Sequence, residues 1–360
     1  MKNIIAIWAP LRYANYGDDL QAIVFAYFIR SIGYEVKIFQ LDQELANVYG
    51  FEVANTVDEL CKNSRLCIIA GGALLTPFSI LHRTLSKSAN EYEKDFRDLH
   101  LAGIKYGTKF CAISMGGDGK IRNPYLFYSI NRINFFKSSF FINGTVRLEG
   151  DIQQMKKFGK KFEYYPDCLL QTSNFLKIEK DIIATKNGSF RVAFNFKRKH
   201  LSQDLLNEIY KYAEKNKDVE FYFVTTHLEK KGINYEYIPL VETENVKIQK
   251  YETPTQLLEF ISGIDILITS KLHLGITGLT VGTPFVSYRG PGKAKSFIES
   301  IGGKWAIVDD NITFQELKEK FFYKSKTELF NQYDVLTFQK MINDSYNQFI
   351  FCEKIVEKYL

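Results

Sequence analysis

Short apolar runs alternate along the chain with longer stretches in which apolar residues recur every three or four positions. The runs Lys2–Ala9, Leu66–Ala70 and Asp265–Thr269 are typical of buried parallel strands. The stretches Leu20–Gly33 and Ser202–Lys215 have the spacing of amphipathic helices. Strands and helices that alternate in this way predict parallel, doubly wound sheets with helices on both faces.

The 360-residue chain is longer than one hydrophobic core usually covers. The alternation is interrupted at Asn174–Ser189, which lacks a clear period and carries mixed charge, so we expect a linker there. The pattern predicts one Rossmann-like domain over residues 1–175, a second over 190–312, and helices over 313–360. The expected fold class is α/β, with two doubly wound Rossmann-like domains facing a cleft.

Composition and charge indicate a folded globular protein, but they do not identify its ligand. The charged fraction of 24% and the hydrophobic fraction of 46% are ordinary for a folded globular protein. A net charge of +6 fits an anionic small substrate, a membrane surface or nucleic acid. The five cysteines lack metal-like spacing, which indicates buried thiols in a reducing compartment. No signal peptide or membrane-spanning run is evident, so we expect a cytoplasmic protein, with peripheral contact at the inner face of the membrane left open.

The segment Ser270–Tyr288, SKLHLGITGLTVGTPFVSY, follows a predicted buried strand. Ligands of open α/β sheets bind beyond the carboxyl ends of strands, where Lys271 and His273 emerge. A lone histidine is more often a structural hydrogen-bonding residue than a catalytic one. Here the strand exit and the neighbouring cation favour proton transfer, because an unperturbed imidazole has a pKa near ~6.5. The other four histidines show no metal-ligand spacing, and we predict no metal.

Two further loops follow predicted strands of the first domain. In NYGDD, Asn15–Asp19, we expect Gly17 to supply a tight turn and Asp18 or Asp19 to cap the next helix. Such a turn needs no ligand, although its side chains are also suited to bind sugar hydroxyls. The Gly71-Gly72 pair would let a ligand approach the backbone and would leave amides for an anion, but no nucleotide-binding fingerprint surrounds it.

Two arginines are candidates for binding carboxylate or phosphate in bidentate fashion. Arg147 follows the strand-like sequence SFFINGTV, and Arg198 lies in the basic cluster after the first strand of the second half. For Arg198, a solvated surface charge is an equally good interpretation.

These features resemble the polysaccharide pyruvyl transferase family. The resemblance extends from about residue 4 to 305, and its most specific part is ISGIDILITSKLHLGITGLTVGTPFVSY. The other landmarks are NYGDD, Gly71-Gly72, Val146-Arg147 before a short helix ending in Gly159, Pro166-Asp167, and Lys293. The family usually has Arg-x-His where this chain has Lys271-Leu272-His273. Lysine offers a point charge in place of the planar fork of arginine.

The resemblance implies a glycosyltransferase-B-type fold and transfer of the enolpyruvyl group of phosphoenolpyruvate onto two hydroxyls of a sugar. The acceptor would be a polysaccharide or lipid-linked precursor, and phosphoenolpyruvate would be a co-substrate, with no separate cofactor. His273, Lys271 and Arg147 would be catalytic. Donor binding would involve Arg198, Ser270, Leu272 and Lys293, and acceptor binding Asn15, Tyr16, Asp18, Asp19, Gly71 and Gly72.

Two other functions stay open on the sequence. One is a nucleotide-sugar-dependent glycosyltransferase of the same fold, since one scaffold serves many chemistries. The other is a non-catalytic carbohydrate-binding homologue. Nucleic-acid binding is disfavoured because the basic residues are dispersed. The run Ile130–Phe141 and the C-terminal helices would suit a membrane surface, and core packing explains them equally well. The sequence does not indicate the acceptor sugar, the ketal stereochemistry or the oligomeric state.

Overall fold

The computed structural model describes residues 4–79, 85–179, 188–200, 202–229, 236, 238, 241–308 and 312–360. Internal contacts divide the chain into two compact units. The first unit comprises residues 1–14, 18–168 and 342–360, and the second comprises residues 15–17 and 169–341. Part of the predicted linker Asn174–Ser189 and the first two residues of the predicted strand Lys2–Ala9 lie outside the described residues.

The first unit is built on a parallel sheet of seven strands. In chain order they are β1 Ile4–Trp8, β2 Glu35–Phe39, β3 Glu52–Ala54, β4 Leu66–Ala70, β5 Lys109–Met115, β6 Phe141–Val146 and β7 Phe162–Tyr164. Their spatial order is β3-β2-β1-β4-β5-β6-β7, and every pairing is parallel. The order reverses between β1 and β4, as in doubly wound folds. Leu66–Ala70 is buried along its whole length, because helices cover both faces of a parallel sheet.

The helices of this unit include one that the apolar pattern did not reveal. They are α1 Tyr16–Ser31, α2 Gln43–Tyr49, α3 Val57–Cys61, α4 Lys87–Tyr106, α5 Pro124–Phe127, α6 Ile130–Lys137 and α7 Glu149–Lys157. The first two residues of α1 belong to the second unit. The 20-residue helix α4 was missed, although Ser86 caps it and Phe96 and Leu99 face the core at helical spacing. Its mean composition is polar, which obscured the apolar stripe.

A buried ion pair connects α4 with the loop that follows β4. Arg132 is fully buried, and its guanidinium pairs with Glu93 on α4. The same guanidinium donates to the carbonyls of Leu74 at 2.9 Å and Thr76 at 3.0 Å. Its carbon lies 5.0 Å from the ring centroid of Phe96, so the charge is compensated by anion, carbonyls and aromatic faces together. Through Arg132, the loop after β4 is therefore fixed to helices α4 and α6.

The last helix of the chain belongs to this unit. Gln348 lies on that helix, and its side-chain oxygen accepts a hydrogen bond from Thr145 Oγ1 at 2.8 Å. Its amide nitrogen donates to Ser114 Oγ at 3.3 Å and to the carbonyl of Pro166. These bonds reach across 182 to 234 residues of sequence, so the C-terminus is attached to the middle of the first sheet through one satisfied polar side chain.

The second unit is built on a parallel sheet of six strands. They are β8 Phe190–Asn195, β9 Val219–Val224, β10 Val246–Gln249, β11 Ile266–Thr269, β12 Phe285–Tyr288 and β13 Ile307–Val308, in the spatial order β10-β9-β8-β11-β12-β13. The helices after residue 168 are α8 Thr172–Phe175, α9 Gln203–Lys215, α10 Pro254–Ser262, α11 Leu272–Thr280, α12 Gly292–Ser300, α13 Phe314–Phe321, α14 Lys326–Phe330, α15 Val335–Ser345 and α16 Asn347–Tyr359. The prediction of two doubly wound parallel sheets is confirmed.

Two predicted elements differ in the structure. The apolar pattern of Pro124–Phe136 predicts a single helix. The structure divides it, because Ser129 accepts a hydrogen bond from Arg132 N and begins a new helix at Ile130. The sequence EYYPDCLL predicts a strand over Glu163–Leu170. In the structure the strand ends at Tyr164, and Cys168–Gln171 forms a 3₁₀ turn instead.

Several apolar features have simple structural explanations. The five cysteines are buried and free, as expected. Phe135, Phe136 and Phe141, from the run that suggested a membrane surface, are fully buried in the core of the first unit. Within the ranges that the structure describes, no helix has both the length and the apolar character needed to cross a bilayer.

The buried ion pair generates a stability prediction. Replacement Glu93→Gln leaves Arg132 charged and without its carboxylate in the core, so we expect the first unit to lose about 3–5 kcal/mol of unfolding free energy. Urea unfolding followed by Trp8 fluorescence in a Trp305→Phe background measures this, because Trp8 is the tryptophan of the first unit.

The matched control is Asp58→Asn, which removes the carboxylate of an exposed pair with Lys105 on the same unit. It should leave the urea midpoint unchanged. Equal midpoints for Glu93→Gln and the parent protein would contradict the anchoring role of the buried pair.

Candidate functional site

The second sheet brings three strand ends side by side. Strands β9, β8 and β11 are neighbours, and all are parallel, so their carboxyl ends meet at one edge. β8 ends at Asn195 and β11 ends at Thr269. Loops at this edge of an α/β sheet are where ligands usually bind.

One buried carboxylate connects these strand ends. Glu236 is 4% exposed, and its Oε1 accepts a hydrogen bond from Asn195 Nδ2 at 3.0 Å. Its Oε2 accepts from the backbone N of Thr226 at 2.7 Å, and the hydroxyl of Thr226 also donates to the carboxylate. Thr269 Oγ1 lies 3.1 Å from Asn195 Oδ1 and completes the network. We call Asn195, Thr226, Glu236 and Thr269 the Glu236 network.

Two nitrogen-bearing side chains approach the same carboxylate. His227 Nδ1 lies 3.4 Å from Glu236 Oε2, and Lys271 Nζ lies 3.5 Å from Oε1. Burial by itself would raise the pKa of Glu236, but contact with His227 and the positive charge of Lys271 outweigh it and lower the pKa to about 2. Glu236 is therefore an anion at neutral pH, and it holds Lys271 at the start of helix α11.

The first turn of α11 is suited to bind an anion. Lys271 occupies the cap position and provides no side-chain acceptor, whereas Ser202, Thr253 and Thr313 cap other helices of the unit. The hydroxyl of Ser270, which is 1% exposed, finds no hydrogen-bond partner in the part of the chain that the structure describes. A helix N-terminus, a hydroxyl and a lysine thus converge, and this combination attracts phosphate or carboxylate.

His273 lies in the same turn, against the start of α1. A Cβ atom on Gly17 would lie 2.1 Å from His273 Nδ1, so the imidazole occupies the space that any side chain at position 17 would fill. Tyr16 supports this contact, since its hydroxyl lies 2.7 Å from Thr277 Oγ1 and its backbone N donates to Thr226. Asn15 forms an antiparallel bridge with His227. Residues 15–17 are therefore part of the second unit's site.

This contact corrects the roles predicted for NYGDD. Helix α1 begins at Tyr16, so Gly17 lies inside its first turn and does not form the tight turn. Asp18 and Asp19 lie in that first turn rather than at the cap, while Asn15 Oδ1 accepts from Gly17 N at 3.3 Å. The glycine is required by the packing of His273 and not by the backbone angle.

The remaining donor candidates of the second unit follow β8 and β12 at the same sheet edge. Arg198 is exposed, in a 3₁₀ turn after β8, and Lys293 is half-buried, at the second position of α12. These two loops are joined, because Arg289 Nη1 donates to the carbonyl of His200 at 2.9 Å. Leu272 is buried at the first position of α11.

The candidates of the first unit form a separate set. Arg147 is buried and pairs with Asp167 at 3.0 Å. The amides of Gly71 and Gly72 donate to Ile113 O at 2.8 Å and Gln21 Oε1 at 3.1 Å, so these amides already have partners within the unit. Asp19 is fully buried and Asp18 half-buried.

Sequence reasoning missed Glu236, His227, Asn195 and Thr226. Asn195 ends an apolar strand, and this signal was readable. Glu236 had no local sequence signal, because its partner His227 is nine residues away along the chain and Asn195 is 41 away. Among the described residues, no group of three or more histidine, cysteine or carboxylate side chains is arranged to hold a metal ion.

The Gly17 contact generates a prediction about His273. Gly17→Ala should displace the imidazole and cost about 1–3 kcal/mol of unfolding free energy, because the added methyl overlaps the ring. The measurement is the NMR spectrum of the His273 ring with urea unfolding of the second unit. Gly292→Ala is the control, since a Cβ there meets nothing within 4 Å. An unchanged His273 spectrum in Gly17→Ala would refute the contact.

The lowered pKa of Glu236 generates a prediction about pH. The pKa is about 2 in the folded chain against an ordinary 4.5, so the charged form stabilises folding above pH 4.5. This contribution, roughly 3 kcal/mol, is lost as the pH falls from 4.5 toward 2. Glu236→Gln should therefore be less stable than the parent at pH 7, and the difference should shrink at pH values below 4.5. Trp305 fluorescence in a Trp8→Phe background reports on the second unit, and a difference that does not vary with pH would contradict the assignment.

Solved structures similar to the chain share its two-domain architecture. One is a putative UDP-N-acetylglucosamine 2-epimerase from Listeria monocytogenes, with a TM-score of 0.61, 10% identity, and coverage of 99% of this chain and 95% of that chain. Another is UDP-GlcNAc 2-epimerase from Neisseria meningitidis bound to UDP-GlcNAc, with a TM-score of 0.57, 11% identity, and coverage of 99% and 100%. HepE from Anabaena in complex with UDP and glucose has a TM-score of 0.55, 10% identity, and coverage of 99% and 100%. The predicted two-domain, Rossmann-like fold of the glycosyltransferase-B type is confirmed.

Sequence comparison identifies a family over the segment that contains the site. A comparison with curated protein sequences found no match. The model of the polysaccharide pyruvyl transferase family matches residues 149–289, a range that includes the Glu236 network, Lys271 and His273. The resemblance of this chain to the polysaccharide pyruvyl transferase family is thus confirmed over residues 149–289.

Proposed function

We propose that the protein is a pyruvyl transferase that moves the enolpyruvyl group of phosphoenolpyruvate onto two hydroxyls of a sugar and releases phosphate. The observation that carries the proposal is the first turn of α11. There an uncapped helix N-terminus, the buried hydroxyl of Ser270, Lys271 and His273 lie together, inside the segment that matches the pyruvyl transferase family. An anion-binding turn with an adjacent imidazole suits a donor that must be both held and protonated.

The donor anions would be held by charge and by backbone amides. The ammonium of Lys271 faces Glu236 at 3.5 Å on one side, and 22% of its side chain is exposed, so it can also reach a ligand. Ser270 Oγ and the first amides of α11 would donate to phosphate or carboxylate oxygens. Arg198 and Lys293, which follow β8 and β12 of the second sheet, would add positive charge. The catalytic role of Arg147 stays a prediction of the family resemblance. Glu236 positions Lys271 and so prepares the site before the donor arrives.

His273 would act as the general acid. Transfer of its proton to the methylene carbon of phosphoenolpyruvate forms a methyl group and leaves an oxocarbenium-like centre at C2. The first sugar hydroxyl attacks C2 and releases its proton, the C2–O bond to phosphate breaks, and the second hydroxyl closes the ketal as it loses its own proton. His273 donates one proton, and the two acceptor hydroxyls together release two protons as phosphate leaves. One of these two released protons restores the imidazolium of His273.

For the acceptor we propose a sugar of a polysaccharide or of a lipid-linked precursor. The contacts of Asn15 with His227 and of Tyr16 with Thr277, beside the first turn of α11, support a role for this polar loop in acceptor binding. The acceptor-binding roles of Asp18, Asp19, Gly71 and Gly72 stay predictions of the family resemblance.

A nucleotide-sugar-dependent glycosyltransferase is the second candidate. The observation that favours it is the likeness of the whole chain to structures solved with UDP-GlcNAc and with UDP and glucose. The same helix N-terminus and Lys271 would then bind a diphosphate, while His273 would have no carbon to protonate.

The identity of the donor that binds distinguishes the two candidate functions. Two substitutions distinguish donor binding from the chemical step. Phosphoenolpyruvate should raise the melting temperature of the parent protein, and Lys271→Met should weaken its binding by about tenfold or more, because a charge-assisted contact is lost. His273→Gln should keep most of the binding and lose phosphate release in the presence of acceptor, by about a hundredfold or more. Thermal shift, calorimetry and a phosphate assay give these values.

Lys247→Met is the matched control for Lys271→Met, because Lys247 lies on β10 and pairs with Glu220 in the same unit. It should bind phosphoenolpyruvate as the parent does. Stabilisation by UDP but not by phosphoenolpyruvate would replace the proposed function with the second candidate. Normal phosphate release in His273→Gln would remove the general acid from the mechanism.

A further inference from the structure

A segment of the first unit exposes an unusual concentration of large apolar side chains. Residues 121–130 contain five that are strongly exposed to solvent: Ile121 at 56%, Tyr125 at 66%, Leu126 at 69%, Phe127 at 45% and Ile130 at 63%. We call residues 121–130 the apolar turn. Single exposed apolar residues are common on protein surfaces, but a cluster of this kind marks an interaction surface.

The apolar turn is held firmly at its base. Asn123 caps the single helical turn α5, and Pro124 at its first position is buried. The hydroxyl of the buried Tyr128 donates to the carbonyl of Leu75 at 2.8 Å. The backbone N of Arg122 donates to Gln154 Oε1 at 2.6 Å. The exposed side chains are therefore presented by an ordered turn that has both ends attached to the domain.

The exposed side chains point in several directions. Tyr125, Leu126 and Phe127 are consecutive residues of one helical turn, so their directions differ by about 100° from one to the next. All three are exposed, which means that the turn projects from the domain and is apolar around its tip. A groove on a folded partner covers one face of a helix, whereas a bilayer surrounds an inserted turn on all sides.

Basic side chains surround the apolar tip. Lys137 Nζ donates to the Tyr125 hydroxyl at 2.7 Å and lies 4.9 Å from the centroid of that ring. Arg122 lies 5.9 Å from the ring centroid of Phe127 and pairs with Asp118 at 2.6 Å. Lys120 is exposed beside them. From residue 118 to residue 137 the surface carries three cations and one anion, which is a positive rim around an apolar tip.

We propose that the apolar turn inserts into the surface of an anionic lipid bilayer. Leu126, Phe127 and Ile130 would enter the boundary between headgroups and acyl chains, and Tyr125 would keep its hydroxyl at the level of the headgroups. Lys120, Arg122 and Lys137 would contact anionic lipid phosphates. Ile130 is the strongly exposed large apolar residue of the run that suggested a membrane surface in the sequence, and most of the contact surface precedes that run. This proposal does not depend on the chemistry of the α11 site.

Vesicle co-sedimentation of the full chain tests the proposal. We expect the protein to sediment with vesicles of equal parts phosphatidylglycerol and phosphatidylcholine, and more weakly with phosphatidylcholine alone. Leu126→Asp should reduce the partition coefficient by about tenfold or more, because it places a charge at the inserted tip. The paired substitution Lys120→Glu with Lys137→Glu should remove the preference for phosphatidylglycerol vesicles.

Leu336→Asp is the matched control, since Leu336 is 85% exposed at the start of helix α15 and lies outside the apolar turn. It should bind vesicles as the parent does. Failure of the parent protein to bind phosphatidylglycerol vesicles, or equal losses in Leu126→Asp and Leu336→Asp, would overturn the proposal. A parent dimer that Leu126→Asp converts to a monomer, with vesicle binding unaffected, would assign the turn to contact with a second copy of the chain and would also overturn it.

Discussion

The candidate site of the second unit depends on one buried carboxylate. Glu236 accepts hydrogen bonds from Asn195 at the end of β8 and from Thr226 after β9, and it faces Lys271 after β11. Burying a carboxylate is costly unless hydrogen bonds and a cation compensate it, and here both are present. The same interactions that stabilise the anion therefore fix the loops around it. Lys271 is held at the start of α11 as a consequence of how the charge of Glu236 is satisfied.

A second constraint joins two distant parts of the sequence. His273 can take its position because residue 17 has no side chain, and Tyr16 reinforces the contact through Thr277. The family match begins at residue 149 and does not include Asn15–Gly17. The first part of the NYGDD motif nevertheless packs directly against His273. The absence of a side chain at Gly17 therefore matters as much as the polar side chains of the motif.

The hydrogen bonding of buried polar groups differs between the centre of the first unit and the α11 turn. Gln348 and Arg132 are buried, and the carbonyls, hydroxyls and carboxylate around them satisfy their donors. At the α11 turn, the cap position lacks a side-chain acceptor and the buried hydroxyl of Ser270 has no partner within the described ranges. Folded proteins rarely leave buried polar groups unsatisfied, and the exceptions concentrate where a ligand completes the bonding.

The amino-acid sequence was sufficient for the fold class and for the placement of Lys271 and His273 directly after a buried strand. The alternation of strands and helices is a local property, since burial on both faces of a parallel sheet requires continuous apolar runs such as Leu66–Ala70. Prediction from the sequence failed where the local pattern was weak, as in α4, in which charged residues interrupt the apolar stripe. The position of Lys271 and His273 after an apolar strand was also readable, because the carboxyl ends of strands are where loops carry function.

The tertiary structure decided which residues surround that centre. The pairing of Glu236 with Asn195, the fit of Gly17 against His273 and the return of Gln348 to the first sheet join residues that lie from 41 to 256 positions apart. Each of these pairings follows from close packing and from the need to satisfy buried polar groups, which act between neighbours in space. Local sequence patterns predict the strands and helices, but they do not determine which side chains these elements bring into contact.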